Sequence, residues 1–352
     1  MSYMYTNNVG YSEDVNATIG KFDKPISVII EDETDLCRKR EGFDKAIYNV
    51  ATSDSFAESY FLENELGILS AVSEGEAGIE LSSKELYKQY VEHTEFKGDC
   101  FINKTLIEDS NRNEIAKRVR KLIRSYWMTR NEFAQRGLFE AENPTMQFAG
   151  KTFKLTTPDG LPLFHKLHPF MNGNAFQSNV FYHIHEGSVD SGVMESLLSA
   201  LAILGRQMLT EDGKPRGFCF NTIYIPSNRW ALEAAIRRVI GTQNINGYSS
   251  NNVGIMSGGW KLVVLPLWTS STDKFIIGSD EANRNDCGSM FYDRTPFQVT
   301  RNDQFDINDN VLIHGRARMS LVHNNYKHFM LCHIVDYDSS YEYEEKATKI
   351  EL

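Results

Sequence analysis

The stretch 'EDSNRNEIAKRVRKLIRSYWMTRNEFAQRGL', from Glu108 to Leu138, is the strongest constraint on what this chain can become. Glu108, Asp109 and Ser110 suit an N-terminal cap and an acidic first turn. Ile115, Val119, Leu122 and Tyr126 then recur at spacings of four, three and four, with Phe133 two turns on, which is one face of a helix. Gly137 is placed to stop it. The pattern predicts a helix of about 27 residues, about 40 Å long. Its other face carries Arg112, Lys117, Arg118, Arg120, Lys121, Arg124 and Arg130 against Glu114 and Glu132. That face reads as a solvated surface, as one that contacts phosphate, or as one that pairs with acidic segments of another copy.

A chain of 352 residues with 41% hydrophobic and 24% charged residues can bury a sizeable core. Its formal charge of −10 argues against a general nucleic-acid binder, whose affinity comes from clustered Lys and Arg. The cysteines, Cys37, Cys100, Cys219, Cys287 and Cys332, are scattered, odd in number and without a C-x-x-C pair. They read as reduced intracellular thiols. Neither a signal peptide nor an apolar run of membrane-spanning length is visible, so the expectation is a soluble protein kept in cytoplasm.

Along the chain, the first thirty residues read as a polar extended arm, and residues 42–70 carry a helical rhythm in 'FDKAIYNVA' and 'FAESYFLENELGIL'. From Val72 to Asp99 the sequence is hydrophilic and acidic, a segment that is disordered or packs outside its own subunit. After the long helix come short extended pieces, 'MQFAG', 'KTFKLTT' and 'PLFHKL'. A second helix fits 'VDSGVMESLLSALAILGRQML', with Met194, Leu197, Leu198, Leu201, Leu204 and Met208 as its stripe. 'FNTIYIP' is a strand, 'SNRWALEAAIRRVIG' a helix capped by Ser227 or Asn228, 'NINGYSSNNVG' a loop, and 'WKLVVLPLW' and 'KFIIG' buried strands. 'NVLIHGRARMSLV' alternates with period two, 'HNNY' is expected to turn it, and 'KHFMLCHIV' to return as the second strand of a hairpin. 'DYDSSYEYEEKATKIEL' reads as a loose acidic tail.

The candidate chemistry lies in 'DGLPLFHKLHPFMNGNAFQSNVFYHIHEG', which sets His165, His168, His183 and His185 close together. The H-x-x-H pair is expected on opposite faces. H-x-H places His183 and His185 on one face of a strand, with Glu186 beside them as a base, so a metal-dependent hydrolase is one reading. No H-E-x-x-H, cysteine pair or facial carboxylate completes a ligand set. No nucleophile elbow, P-loop or dinucleotide fingerprint occurs either, and Cys332 and His333, adjacent on a strand, face opposite ways. These observations predict no enzyme, no cofactor and no metal.

Several stretches, in order, resemble one family. 'DGLPLFHKLHPF…QSN' is similar to the D-G-x-P-L-F-x-x-x-H-P…S-N segment of tailed-phage major capsid proteins. 'GVMESLLSALAILGRQMLTEDGKPRGFCFNTIYIPSN', 'WKLVVLPLWTSSTDKFIIG' and 'FDINDNVLIHGRARMSLVHNNYKHFMLCHI' resemble later parts, over about residues 55–336. Mu-like major head proteins, with the Hong Kong 97-type shell fold, carry similar regions. The chain departs from the family where 'HNNYKH' stands in place of an Asp-Trp-Arg-like element.

The resemblance implies an α+β, Hong Kong 97-type capsid fold. Its parts would be an N-terminal arm (1–60), an extended loop (61–105), and a peripheral domain with a spine helix (106–185). An axial domain (186–296), a closing peripheral hairpin (297–340) and an acidic tail (341–352) would follow. The implied function is a major head protein that self-assembles, as pentamers and hexamers, into an icosahedral shell around double-stranded DNA. DNA contact would be weak, and portal, scaffold or decoration proteins are further partners. Assembly would occur in the host bacterial cytoplasm and the product would be the virion. The hydrolase of His183, His185 and Glu186 is the alternative, and a tail or encapsulating-compartment protein of the same fold a third. Candidate inter-subunit contacts are Glu74, Glu76, Glu80 and Glu85 with Arg118, Lys121, Arg124, Arg316 and Arg318.

Overall fold

The computed structural model describes residues 32–33, 35–36, 42–63, 71–72, 77–78, 85–103, 112–170, 175–210, 219–240, 260–285, 288–302 and 310–351. Two sheets share the chain, and the long helix α2 (Arg112–Phe139) is wedged between them. The first sheet has the order β1 (Asn49–Thr52), β13 (Ser289–Asn302), β14 (Asn310–His323), β4 (Thr94–Asn103). The second has six strands: β11 (Lys261–Leu265), β10 (Thr222–Pro226), β12 (Asp273–Gly278), β15 (Phe329–Val335), β9 (Val180–Ile184) and β16 (Thr348–Lys349). Three two-stranded ribbons complete the strands. They are β2 (Ala57–Glu63) with β3 (Glu85–Glu92), β5 (Thr145–Phe148) with β6 (Lys151–Lys154), and β7 (His168–Pro169) with β8 (Phe176–Gln177).

The burial of α2 changes along its length. In its first half Ile115, Val119, Ile123 and Trp127 pack on Ile102 and Ile313 of the four-stranded sheet. In its second half Phe133, Ala134 and Leu138 enter a core that also takes Phe291, Met319 and Leu321 from that sheet and Tyr182, Tyr224, Ile276 and Leu331 from the other. One end therefore has a single apolar stripe and the other is covered on opposite sides, where Asn131 and Gln135 are buried as well.

The far face of the six-stranded sheet, with Phe181, Ile223, Ile225, Phe275, Ile277, Met330 and Cys332, is covered by α3 (Ser191–Gln207) and α4 (Trp230–Ile240). Asp190 caps α3 by accepting a bond from Val193 N at 2.9 Å, and Met194, Leu197, Leu198 and Leu201 of the stripe expected from sequence are buried. Both faces of the central strands are buried, hence runs such as 'FMLCHIV' without alternation.

The structure differs from the sequence reading in several places. Among the described residues of the expected helical stretch 42–70, which are 42–63, Phe43–Ile47 (α1) is helical and the following residues pair as β1 and β2. In β2, 'AESYFLE', side chains alternate between two faces against β3, and strand pairing overrides the local helical rhythm. Gly137 does not stop α2, which runs on to Phe139. It lies instead where β14 meets the helix: an added Cβ would sit 2.6 Å from the Tyr48 hydroxyl and 2.7 Å from Leu321. The caps expected at Ser227 and Asn228 brace a neighbouring loop. Ser227 Oγ donates to Pro266 O and Trp268 O, and Asn228 Nδ2 to Ser270 O.

The expected closing hairpin does not pair with itself. β14 lies between β13 and β4, and β15, after Asn324–His328, crosses into the other sheet between β12 and β9. The tail is also packed in place. Ala347 and Ile350 are buried, β16 adds beside β9, and Ile350 N donates to Tyr182 O at 2.8 Å. An unpaired edge of β9 would leave backbone groups unsatisfied, and the tail satisfies them. The loop 'NINGYSSNNVG' lies outside the described residues.

Arg130, expected on the solvated basic face, is 4% exposed. Its guanidinium bonds Asp44 of α1 at 2.9 Å and grips Asp293 of β13 through two bonds at 2.5 and 2.8 Å. It also stands 4.5 Å from the Phe291 ring centroid. Burial opposes the charge, but the bonds from Asp293 and the neighbouring carboxylates outweigh it and keep the group protonated. Arg130→Met should cost about 3–5 kcal/mol, because Asp44 and Asp293 would stay charged and unpaired. Urea denaturation checks this; a loss below about 1 kcal/mol contradicts the clamp.

Candidate functional site

The segment singled out for its histidines folds into a pinned loop. Asp159 begins it, and Gly160 takes φ 82°, a left-handed turn position that favours glycine. Asp159 Oδ1 accepts bonds from the Thr157 hydroxyl and from Leu161 N, and Oδ2 lies 2.6 Å from His168 Nδ1. Burial pushes the Asp159 carboxyl up, but the His168, Thr157 and Leu161 bonds outweigh it and hold it below the ordinary value. The other nitrogen of His168 faces Leu163 O at 3.3 Å, and its ring stacks on Tyr326 at 3.8 Å between centroids.

Asn179, fully buried, closes the other side of this loop. Its amide nitrogen reaches Leu163 O, Tyr326 O and Phe329 O, at 2.7, 3.2 and 3.3 Å, and its Oδ1 accepts from His165 N. The Asp, His and Asn of the resemblance thus hold one junction between the α2–β9 connection and the β14–β15 crossover. 'HNNYKH' supplies Tyr326 to it. The group is a structural pin in which the Asp159, His168 and Asn179 side chains all bond to other parts of the chain. A shallow notch beside it, lined by Tyr87, Thr157, Asp159 and Asn324 among others, has room of about 10 Å³, roughly one water.

The remaining histidines do not converge. His165 and His168 meet edge to face at 5.9 Å, so the expectation of opposite faces fails: the loop turns between them. His183 and His185 do share a face, with near-parallel rings 6.4 Å apart. Their nitrogens point elsewhere, His183 Nδ1 to Ile350 O of the tail and His185 Nε2 to Ser188 O, and Glu186 is exposed. Among the described residues no group of three or more His, Cys, Asp and Glu could hold a metal ion. Cys332 and His333 face opposite ways, Cys332 into the core under α3 and α4 and His333 toward Tyr343.

Of the proposed charged contacts, Glu74, Glu76 and Glu80 lie outside the described residues, and Glu85 is exposed at the start of β3. Arg118 donates to Phe101 O at 2.8 Å, Arg124 binds Glu33, and Arg316 binds Glu95. Lys121 is exposed and Arg318 half-buried. Three of the five cations therefore already have partners in their own chain.

The β2–β3 ribbon has two unlike faces, a feature that the reading of 42–70 as helical concealed. One face turns to the body, where Gln89 Nε2 donates to Thr156 O at 2.6 Å and Tyr87 lines the notch. The other carries Phe61, Tyr90 and Lys88, with Tyr90 54% and Phe61 37% exposed. Phe56, where the ribbon begins, is 67% exposed. Charged and polar residues alternate with these aromatics, so pairing with β3 was the missing signal.

No family model and no curated relative matches the sequence. Comparison with solved structures finds the capsid of an empty GTA particle, at 11% identity over 84% of this chain and 91% of that one, TM-score 0.47. It also finds Microbacterium phage Oxtober96, at 12% over 83% and 90%, TM-score 0.46. A virus-like particle from Pyrococcus furiosus is similar at 9% identity over 88% and 99%, TM-score 0.47. No described helix is long and apolar enough to cross a membrane.

Two buried histidines give the fold a pH signature. His323 accepts from Ser289 Oγ at Nδ1 and donates from Nε2 to Gly137 O at 2.9 Å, and burial lowers it to about 4. Burial likewise lowers His333 to about 4, against the pull of Glu142. The unfolded chain binds these protons near pH 6.5 and the folded chain only near pH 4, so stability is full above 6.5 and lost on acidification between. The two together account for several kcal/mol, roughly 3 kcal/mol each as an upper figure. Denaturation at pH 7 and pH 4.5 should show the loss, and His333→Gln should remove part of it. Equal stability at both values contradicts this.

Proposed function

We propose that this chain is the major shell subunit of a tailed phage or prophage, closing with many identical copies around double-stranded DNA. The observation that carries the reading is the two-faced ribbon. Its inner face is tied to its own body at Gln89 and Tyr87, while Phe61 and Tyr90 on its outer face lie open. Exposed aromatics on a projecting strand pair are the composition of an interface core, where aromatic residues concentrate. Identical subunits joined through such head-to-tail contacts close into rings when the rotation permits. The ordered resemblance in sequence supports the same reading, and its Asp159, His168 and Asn179 meet at one pin.

On this reading the arm is 1–60, the extended loop 61–105, the peripheral domain 106–185 with 297–340, and the axial domain 186–296. Glu74, Glu76, Glu80 and Glu85 of one copy would meet Arg118, Lys121, Arg124, Arg316 and Arg318 of another, those with partners of their own exchanging them on assembly. The net charge of −10 keeps contact with packaged DNA weak. Portal, scaffold or decoration proteins would dock on the finished shell, which forms in the host cytoplasm and becomes part of the virion. The subunit performs no chemistry of its own.

Negative-stain microscopy of the concentrated full-length chain tests this. Closed isometric particles are expected, and Phe61→Asp with Tyr90→Asp should abolish them while leaving the thermal melt within a few degrees. Open tubes in place of closed particles would favour the tail-protein reading. A stable, well-ordered monomer at high concentration would overturn the proposal.

A further inference from the structure

Among the described residues the backbone of the ribbon joins the body at two points, Ser53–Phe56 between β1 and β2 and His93 between β3 and β4. Both roots are joined by one chain of bonds. His93 Nε2 lies 2.9 Å from Ser53 Oγ, Ser53 Oγ lies 2.5 Å from Glu58 Oε1, and His93 Nδ1 lies 2.9 Å from Ser320 Oγ of β14.

The directions of these bonds follow from chemistry. An ionised carboxylate only accepts, so Ser53 donates to Glu58 and must accept from His93 Nε2–H. The neutral ring then has its Nδ1 lone pair for the Ser320 hydroxyl. The chain runs from Ser320 through His93 and Ser53 to Glu58 without a mismatched pair. Burial lowers His93, Glu58 raises it, and Arg318 and Arg294 lower it again, so on balance the ring is held neutral, as this order requires. Every neighbouring element contributes. Arg294 of β13 donates to Ser53 O at 3.2 Å and bridges to Asp54, and the Tyr292 ring lies edge-on to His93 at 6.2 Å.

From this geometry we infer that Ser320–His93–Ser53–Glu58 is a lock that fixes the angle at which the ribbon projects, with His93 as its positioning residue. Ser320 belongs to the four-stranded sheet, Ser53 and His93 to the two roots, and Glu58 to the ribbon itself. A hinge in a strand pair has two free backbone crossings; this one has side chains bridging both to each other and to the body. The inference goes beyond the shell reading, since it concerns the conformation of the free chain.

Hydrogen exchange on the full-length protein tests it with Ser53→Ala, Ser320→Ala and the double variant, small changes that leave the core intact. Amides of 53–63 and 85–93 should exchange about tenfold faster in each single variant, the loss of one buried bond. The double variant should be no faster than either single, because one chain broken twice is still one broken chain. Amides of α2 and β15 should keep their protection. Unchanged ribbon exchange, strictly additive effects, or equal acceleration in α2 would each overturn the lock. Ribbons that loosen as expected in a chain that never forms shells would uphold the lock and defeat the shell reading, so the two failures are separable.

Discussion

A guanidinium buried among carboxylates holds this molecule's parts in their relative positions. Arg130 stands about two thirds of the way along α2 and bonds Asp44 on one side and Asp293 on the other, with the face of Phe291 against it. Two carboxylates taken out of water would be costly alone, and one cation bonded to both offsets that cost. The arrangement fixes α1 and β13 to one point of the helix. From there the aromatic core around Phe133 and Phe291 spreads to both sheets. The clamp adds a directional contact to the apolar burial of Phe133, Ala134 and Leu138 that seats the C-terminal half of α2 between the two sheets.

Around that fixed body the chain treats its loose ends in opposite ways. The tail turns back, caps the β9 edge and covers His333 with Tyr343, and it packs Ala347 into the core that holds Phe133 and Ile350 into the core under α3 and α4. The ribbon does the reverse. It is tethered on one face and at its roots, and it presents aromatic side chains outward. The chain thus seals one sheet edge with residues 348–350 and leaves the aromatic face of a strand pair open.

Much of this was legible from residues alone. The long helix, the apolar stripe of α3 and the central strands of the six-stranded sheet follow from periodicity. What failed was pairing at a distance. 'NVLIHGRARMSLV' and 'KHFMLCHIV' both read as strands, but neighbours in sequence are not partners here: β15 crosses to the other sheet, and the pin of Asp159, His168 and Asn179 packs against Tyr326 at the crossing. Gly137 carried the signature of a helix end, and its use is close approach to Leu321. Arg130 was legible in retrospect: the apolar stripe of Ile115, Val119, Leu122, Tyr126 and Phe133 has a gap one turn after Tyr126, and Arg130 fills it. The shared face of His183 and His185 was legible from the period of a strand, whereas His165 and His168 approach each other because the chain between them turns, which spacing alone does not reveal.

The central claim is that the ribbon's outer face is completed by another copy of the same chain. Tyr90 replaced by a photoreactive benzoylphenylalanine, in a mixture of isotopically light and heavy protein, tests it directly. After irradiation of the assembled material, the account predicts light–heavy crosslinked peptides joining residue 90 to a different molecule. Crosslinks confined to single chains, or none at all, would contradict it.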